Sequence, residues 1–79
     1  MSLLQGIITR LENLKEQATT SGEVSQRFFE VEGVRMCSVK YFDKTETFEL
    51  EVYQQGEKPQ TYQYDNIDLV AIEIYDMIS

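Results

Sequence analysis

The sequence predicts an α+β domain: a two-layer fold in which an antiparallel β-meander of three to four strands carries an N-terminal and a C-terminal helix packed on one face. Three observations predict it. Apolar residues recur at helical spacing near both ends of the chain, they alternate with a period of two in the middle, and short turns punctuated by Gly, Pro and Asp separate the middle segments. Consecutive strands joined by short turns pair as antiparallel neighbours, and a sheet with one apolar face needs a second layer to cover it.

The first helix is expected from Ser2 to about Thr19. Leu4, Ile7, Ile8, Leu11, Leu14 and Ala18 form its apolar stripe, while Gln5, Thr9, Glu12, Asn13 and Glu16 fall on the opposite side. Ser2 followed by Gln5 three residues on is a capping-box signature. "TTSGE" ends the helix, with Gly22 suited to the left-handed residue that closes it.

Three strand segments follow, "QRFFEVEG", "VRMCSVKYF" and "ETFELEVYQ", and a short fourth, "QTYQY". Gly33 marks a tight turn, "DKTE" a four-residue turn, and "QGEKP" a turn broken by Gly56 and Pro59. Setting Phe42 opposite Thr47 tests the second hairpin. Tyr41 then faces Phe48, Val39 faces Leu50 and Cys37 faces Val52, all apolar or aromatic. On the other side Lys40 faces Glu49, Ser38 faces Glu51 and Met36 faces Tyr53. A shift of one residue destroys both patterns, so this register is expected. The core face of the sheet is then Phe29, Val31, Cys37, Val39, Tyr41, Phe48, Leu50, Val52, Tyr62 and Tyr64.

The last segment, "DNIDLVAIEIYDMIS", is rich enough in β-branched residues to read as a strand, but Ile67, Val70, Ala71, Ile74 and Ile78 form one helical stripe. A helix capped by Asp65, with Asp68 in its first turn, is expected. No repeat or linker divides the chain, so residues 1–79 are expected to form one domain.

Composition narrows the function. The 79 residues include 14 acidic and 7 basic side chains, no His and no Trp, for a net charge of −7. The basic residues (Arg10, Lys15, Arg27, Arg35, Lys40, Lys44 and Lys58) are scattered singly, which disfavours nucleic acid and anionic membranes. Three of the five tyrosines fall on the core face, so a base-stacking surface is not expected. No stretch approaches a transmembrane span, and "MSLLQGIITRLENL" lacks the basic start of a signal peptide, so a cytoplasmic protein is expected.

Candidate chemistry is sparse. The single cysteine, Cys37, lies on the apolar face and is expected to be a buried, inert residue, since no histidine exists to activate it. Glu30, Glu32, Glu49 and Glu51 read as a solvated sheet face, and Asp65, Asp68 and Asp76 as helix-end and helix-surface residues. No metal, cofactor or catalytic residue is expected. What remains is apolar surface: Phe28, Met36, Phe42 and Tyr53 on the outer face of the sheet, and Leu69 and Ile72 off the core stripe of the second helix.

"GIITRLENL", "CSVKYFDKTETFELEVYQQGEKPQTY" and "YDNIDLVAIEIYDMI" also resemble the YkuJ-like family, small uncharacterised proteins of low-GC Gram-positive bacteria. The resemblance runs almost end to end, weakest around "TTSGEVSQ", and implies a small cytoplasmic α+β domain. It brings no activity, cofactor or site residue with it.

The expected function is therefore a non-enzymatic interaction module that self-associates, most simply as a homodimer, with Phe28, Met36, Phe42, Tyr53, Leu69 and Ile72 as candidate interface residues. The alternative is a small-molecule-binding or regulatory protein using tyrosines and carboxylates at a sheet–helix edge. A third reading is an enzyme whose site is assembled across a dimer.

Overall fold

The computed structural model describes residues 2–54 and 56–79. Its elements run α1 (Leu3–Ser21), β1 (Ser25–Val31), β2 (Val34–Phe42), β3 (Thr47–Val52), β4 (Gln60–Tyr64) and α2 (Ile67–Ile78). The strands form one antiparallel sheet in the order β1-β2-β3-β4, and both helices cover the same face. The smallest dimension is 21 Å, which accommodates one sheet and one helical layer at the usual spacing of about 10 Å.

The local signals explain the element ends. The Ser2 hydroxyl accepts the Gln5 N–H at 3.1 Å, satisfying one of the free donors of the first turn of α1. Gly22 closes the helix at φ 74°, its N–H bonded to the Ala18 carbonyl. The first hairpin turns on two residues, Glu32 (φ 51°) and Gly33 (φ 81°), between the facing pair Val31 and Val34. Two positive φ values in a two-residue loop match the right-handed twist of the strands. "DKTE" is the next turn, and Glu46, at φ 55°, belongs to it, so β3 starts at Thr47 rather than at Glu46. Of the turn expected at "QGEKP", Gln55 lies outside the described residues; Gly56 has φ 78°, and the Glu57 N–H bonds the Gln54 carbonyl.

The register of the second hairpin is the expected one throughout, from Phe42 opposite Thr47 to Cys37 opposite Val52. Beyond the ladder, the Tyr53 N–H donates to the Met36 carbonyl at 3.1 Å. The first hairpin departs from simple alternation. Phe29 faces Cys37 but Glu30 faces Arg35, so Met36 is an extra residue on β2, a β-bulge.

Ile7, Leu11, Leu14 and Ala18 of α1 and Val70, Ala71 and Ile74 of α2 close over Phe29, Cys37, Val39, Tyr41, Phe48 and Leu50. Tyr41 and Phe48 meet with ring centroids 4.8 Å apart, tilted by 57°. Val31, Val52 and Tyr64 are half-buried at the margin. Tyr62, expected in the core, points to the helix side of the sheet but keeps 44% of its surface exposed. It sits on the edge strand, where the helical layer ends. The cap of α2 is also corrected: the Asn66 side chain, not Asp65, accepts the Asp68 N–H at 2.8 Å. Both residues are good caps; the extended backbone of Asn66, φ −135°, settles which one serves.

Candidate functional site

Three regions could carry function: the buried cysteine, a cleft beside the start of α2, and the apolar surface outside the core.

Cys37 is fully buried between Phe29 on β1 and Val52 on β3. Burial pushes its thiol up to about 11, because a thiolate there would lose its water. The nucleophilic form is therefore scarce at neutral pH. Cys37 is a small hydrophobe of the sheet floor.

The cleft is open, with a volume of about 720 Å³, and lies where α1, the β2–β3 end and α2 meet. Glu12, Glu16, Glu46, Asp65 and Asp68 line it, with Lys15 the cation among them and Tyr41 and Phe48 at its floor. The Lys15 ammonium stands 5.9 Å from the Tyr41 ring centroid, and the Thr19 hydroxyl donates to Asp43 at 3.0 Å, tying α1 to the β2–β3 turn. The Tyr41 phenol is held above its ordinary range by burial and then by Glu46 and Asp43. The cleft thus has cation-favouring walls. Among the described residues, no group of three or more His, Cys, Asp or Glu is arranged to hold a metal ion.

The outer face of the sheet is more finished than alternation suggests. Ser38 points away from the helices yet is only 1% exposed. Its hydroxyl accepts from Tyr53 Oη at 3.1 Å and from Gln26 Nε2 at 3.4 Å, so both side chains lie across it. The Ser38 hydroxyl can turn to donate to a Tyr53 phenolate, which favours ionisation, but burial and the Glu51 carboxylate outweigh this and hold the phenol above its ordinary value. Beside this network Arg35 stacks on the Phe28 ring at 4.0 Å and reaches Glu30 at 3.5 Å. Sequence reading missed the Ser38–Tyr53–Gln26 network. Its only trace was a serine between two long side chains on neighbouring strands, a pattern that many solvated sheet faces share. Lys40 and Glu49 stand opposite each other as expected, but their side chains form no ion pair within 4.0 Å; among the described residues the one ion pair is Arg35–Glu30.

The six candidate interface residues divide between two sides of the molecule. Phe28, Met36 and Tyr53 gather around Ser38 on the outer sheet face, and Phe42 lies on the same face at the far end of β2. Met36, Phe42 and Tyr53 are half-buried, and Phe28 is 37% exposed. Leu69 and Ile72 are on the other side, outside the helical layer, with about half of each exposed (50% and 49%), and Tyr75 is near them at 38%. A helix covered on one face is ordinarily polar on the other. The outward side of α2 is not.

Fold and surface together define a class: an open two-layer α+β domain with a buried thiol in its sheet floor and apolar surface on its second helix. The chain belongs to the family described as "Protein of unknown function (DUF1797)", whose profile matches residues 7–78. It is 59% identical over 78 residues to the uncharacterized protein YkuJ of Bacillus subtilis (strain 168), covering 99% of both chains. The X-ray structure of the YkuJ protein from Bacillus subtilis superposes on it with a TM-score of 0.95 at 58% identity, covering 98% of each chain. Among the described residues, no helix is long and apolar enough to cross a membrane.

Proposed function

We propose that this protein is a non-enzymatic interaction module of the cytoplasm that associates with a second copy of itself. One observation carries the reading: the outward side of α2 presents Leu69, Ile72 and Tyr75 to solvent in a chain with a net charge of −7. Such a surface is costly to leave in water, and a two-fold contact lets one patch serve both partners. The test is sedimentation of the purified chain from ~1 to ~100 μM, a range that resolves micromolar dimers. A concentration-dependent dimer is expected, strengthened by salt because like charges are then screened. Leu69→Glu with Ile72→Glu should yield a folded monomer. A monomer throughout that range would defeat the reading.

A second reading rests on the cleft. Its five carboxylates, set against the single ammonium of Lys15, suit a small organic cation rather than an anion. Titration calorimetry with a polyamine and with a nucleotide separates the two signs: binding of the former alone supports this reading, and binding of neither removes it.

A further inference from the structure

The two free edges of the sheet are built differently. The β1 edge runs beside the bulge at Met36, which increases local twist, and it carries Arg27 and Glu30. Bulges and charges are the devices by which sheets discourage further strand pairing. The β4 edge has neither. "QTYQY" contains no charge, Pro or Gly, pairs with β3 in unbroken register from Val52–Gln60 to Phe48–Tyr64, and leaves Gln60 to Gln63 exposed. Alternate residues of such a strand direct N–H and C=O groups outward, a row of unused partners.

We propose that β4 pairs antiparallel with β4 of a second copy, joining two four-stranded sheets into one of eight strands, with the two-fold axis at Tyr62. This rests on the self-association proposed above and gives it a geometry. Registers that keep both helical layers on one face of the joined sheet must pair side chains of like orientation. Among these, the one centred on Tyr62 uses all five residues: Gln60 opposite Tyr64, Thr61 opposite Gln63 and Tyr62 opposite itself. No charge meets a like charge within the strand, and aromatic pairs are favourable cross-strand neighbours. The same register carries Lys58, four residues before Tyr62, to Asn66 of the second copy, between that copy's Asp65 and Asp68. Lys58 is exposed and has no ion pair within its own chain among the described residues. Across the axis it would meet a counter-charge.

The helices follow. α2 packs against β4, and its Glu73 carboxylate helps, after burial, to hold the Tyr64 phenol on that strand above its ordinary value, so the Glu73 flank faces the open edge. Leu69, four residues earlier, shares that flank. Pairing through β4 therefore brings the two copies of α2 side by side, with half-exposed Leu69 on the side that faces its counterpart.

Cysteine cross-linking tests the register. Directly paired antiparallel residues stand ~4.5–5.5 Å apart at Cα, within disulfide reach. Tyr62→Cys should give a covalent dimer under mild oxidation. Gln63→Cys, off the axis, should do so far more slowly; Cys37 is buried and does not compete. Tyr62→Lys should weaken the dimer by about tenfold or more, because two ammonium groups then face each other. Amide exchange of the unmodified protein should show the outward-directed alternate amides of β4 protected at high concentration and unprotected at low, while those bonded to β3 stay protected throughout. If the unmodified chain is a monomer at ~100 μM, this proposal and the self-association reading both fall. If it is a dimer that Tyr62→Lys leaves intact, Tyr62→Cys does not cross-link and β4 exchange is independent of concentration, the strand pairing is wrong while self-association stands. Disruption by Phe28→Glu or Met36→Glu would then assign the contact to the outer sheet face.

Discussion

The two helices lie side by side on one sheet, bury similar stripes and differ on the outside. Across the core, α1 contributes Ile7, Leu11, Leu14 and Ala18, and α2 contributes Val70, Ala71 and Ile74. Facing water, α1 shows Thr9, Glu12, Asn13, Glu16 and Gln17, whereas α2 shows Leu69, Ile72 and Tyr75 among Asp68, Glu73 and Asp76. The inner faces obey one requirement, to cover the sheet. The outer faces obey different ones: α1 ends at solvent, and α2 is composed as though a further layer lay beyond it.

The equality of the inner faces is the easiest part to break. Leu11→Ala and Ile74→Ala each empty a fully buried site and should each cost about 2–5 kcal/mol in urea unfolding, by lost transfer energy and residual cavity. A loss under about 1 kcal/mol for either would mean that its helix does not pack as described.

The outer faces should respond unequally. Leu69→Glu with Ile72→Glu should weaken self-association by about tenfold or more, some 1.4 kcal/mol, yet leave the fold intact by circular dichroism. Asn13→Glu on exposed α1 should leave the sedimentation profile unchanged. Equal effects from the two helices would erase the distinction.

Both helices rest on the sheet floor that holds Cys37 and Tyr41. Cys37, raised to about 11, and Tyr41, also raised by burial, favour their protonated forms when folded. The stabilisation is complete below the unfolded thiol value near 9 and is lost as pH rises through the folded one near 11. Unfolding curves from pH 8 to 11.5 should therefore show an alkaline decline, and Cys37→Ala should flatten its earlier part. A decline equally steep in that variant would assign the effect to the tyrosines alone. Bulky thiol reagents should label native Cys37 only at the rate of global opening.

Gly6 sharpens the account of α1. A Cβ there would meet nothing within 4 Å, so Gly6→Ala should stabilise the chain by about 0.5–1 kcal/mol through reduced unfolded-state freedom. Destabilisation would show that the outside of α1 is also covered by something. The smallest effect belongs to Lys40 and Glu49. Their side chains are opposite but unpaired, so a double-mutant cycle should return a coupling near the low end of the ~0.2–1 kcal/mol measured for exposed pairs.

Much of this was legible in the residues. Periodicity placed all six elements, and the alternation from Met36 to Tyr53 dictated the register of the second hairpin, because a one-residue slip would have turned every apolar side chain outward. The candidate interface residues were legible only as apolar positions off the core stripe. Strand parity cannot tell that Tyr53 and Gln26 fold over Ser38, since that depends on rotamers chosen across neighbouring strands. It did separate Phe28 and Met36, on the outer sheet face, from Leu69 and Ile72, on the second helix, and these lie on opposite sides of the layer pair.

By itself, then, the sequence determined the elements, their order, the buried state of Cys37 and the pairing of β2 with β3. These follow from spacing and polarity along the chain, where each residue is tested against its near neighbours. Tertiary structure alone decided which cap α2 uses, the bulge at Met36, the cleft among Tyr41, Phe48 and the carboxylates, and the exposure of Tyr62. Each of those depends on how far one layer extends over another, which is a property of assembled surfaces and not of any stretch of chain.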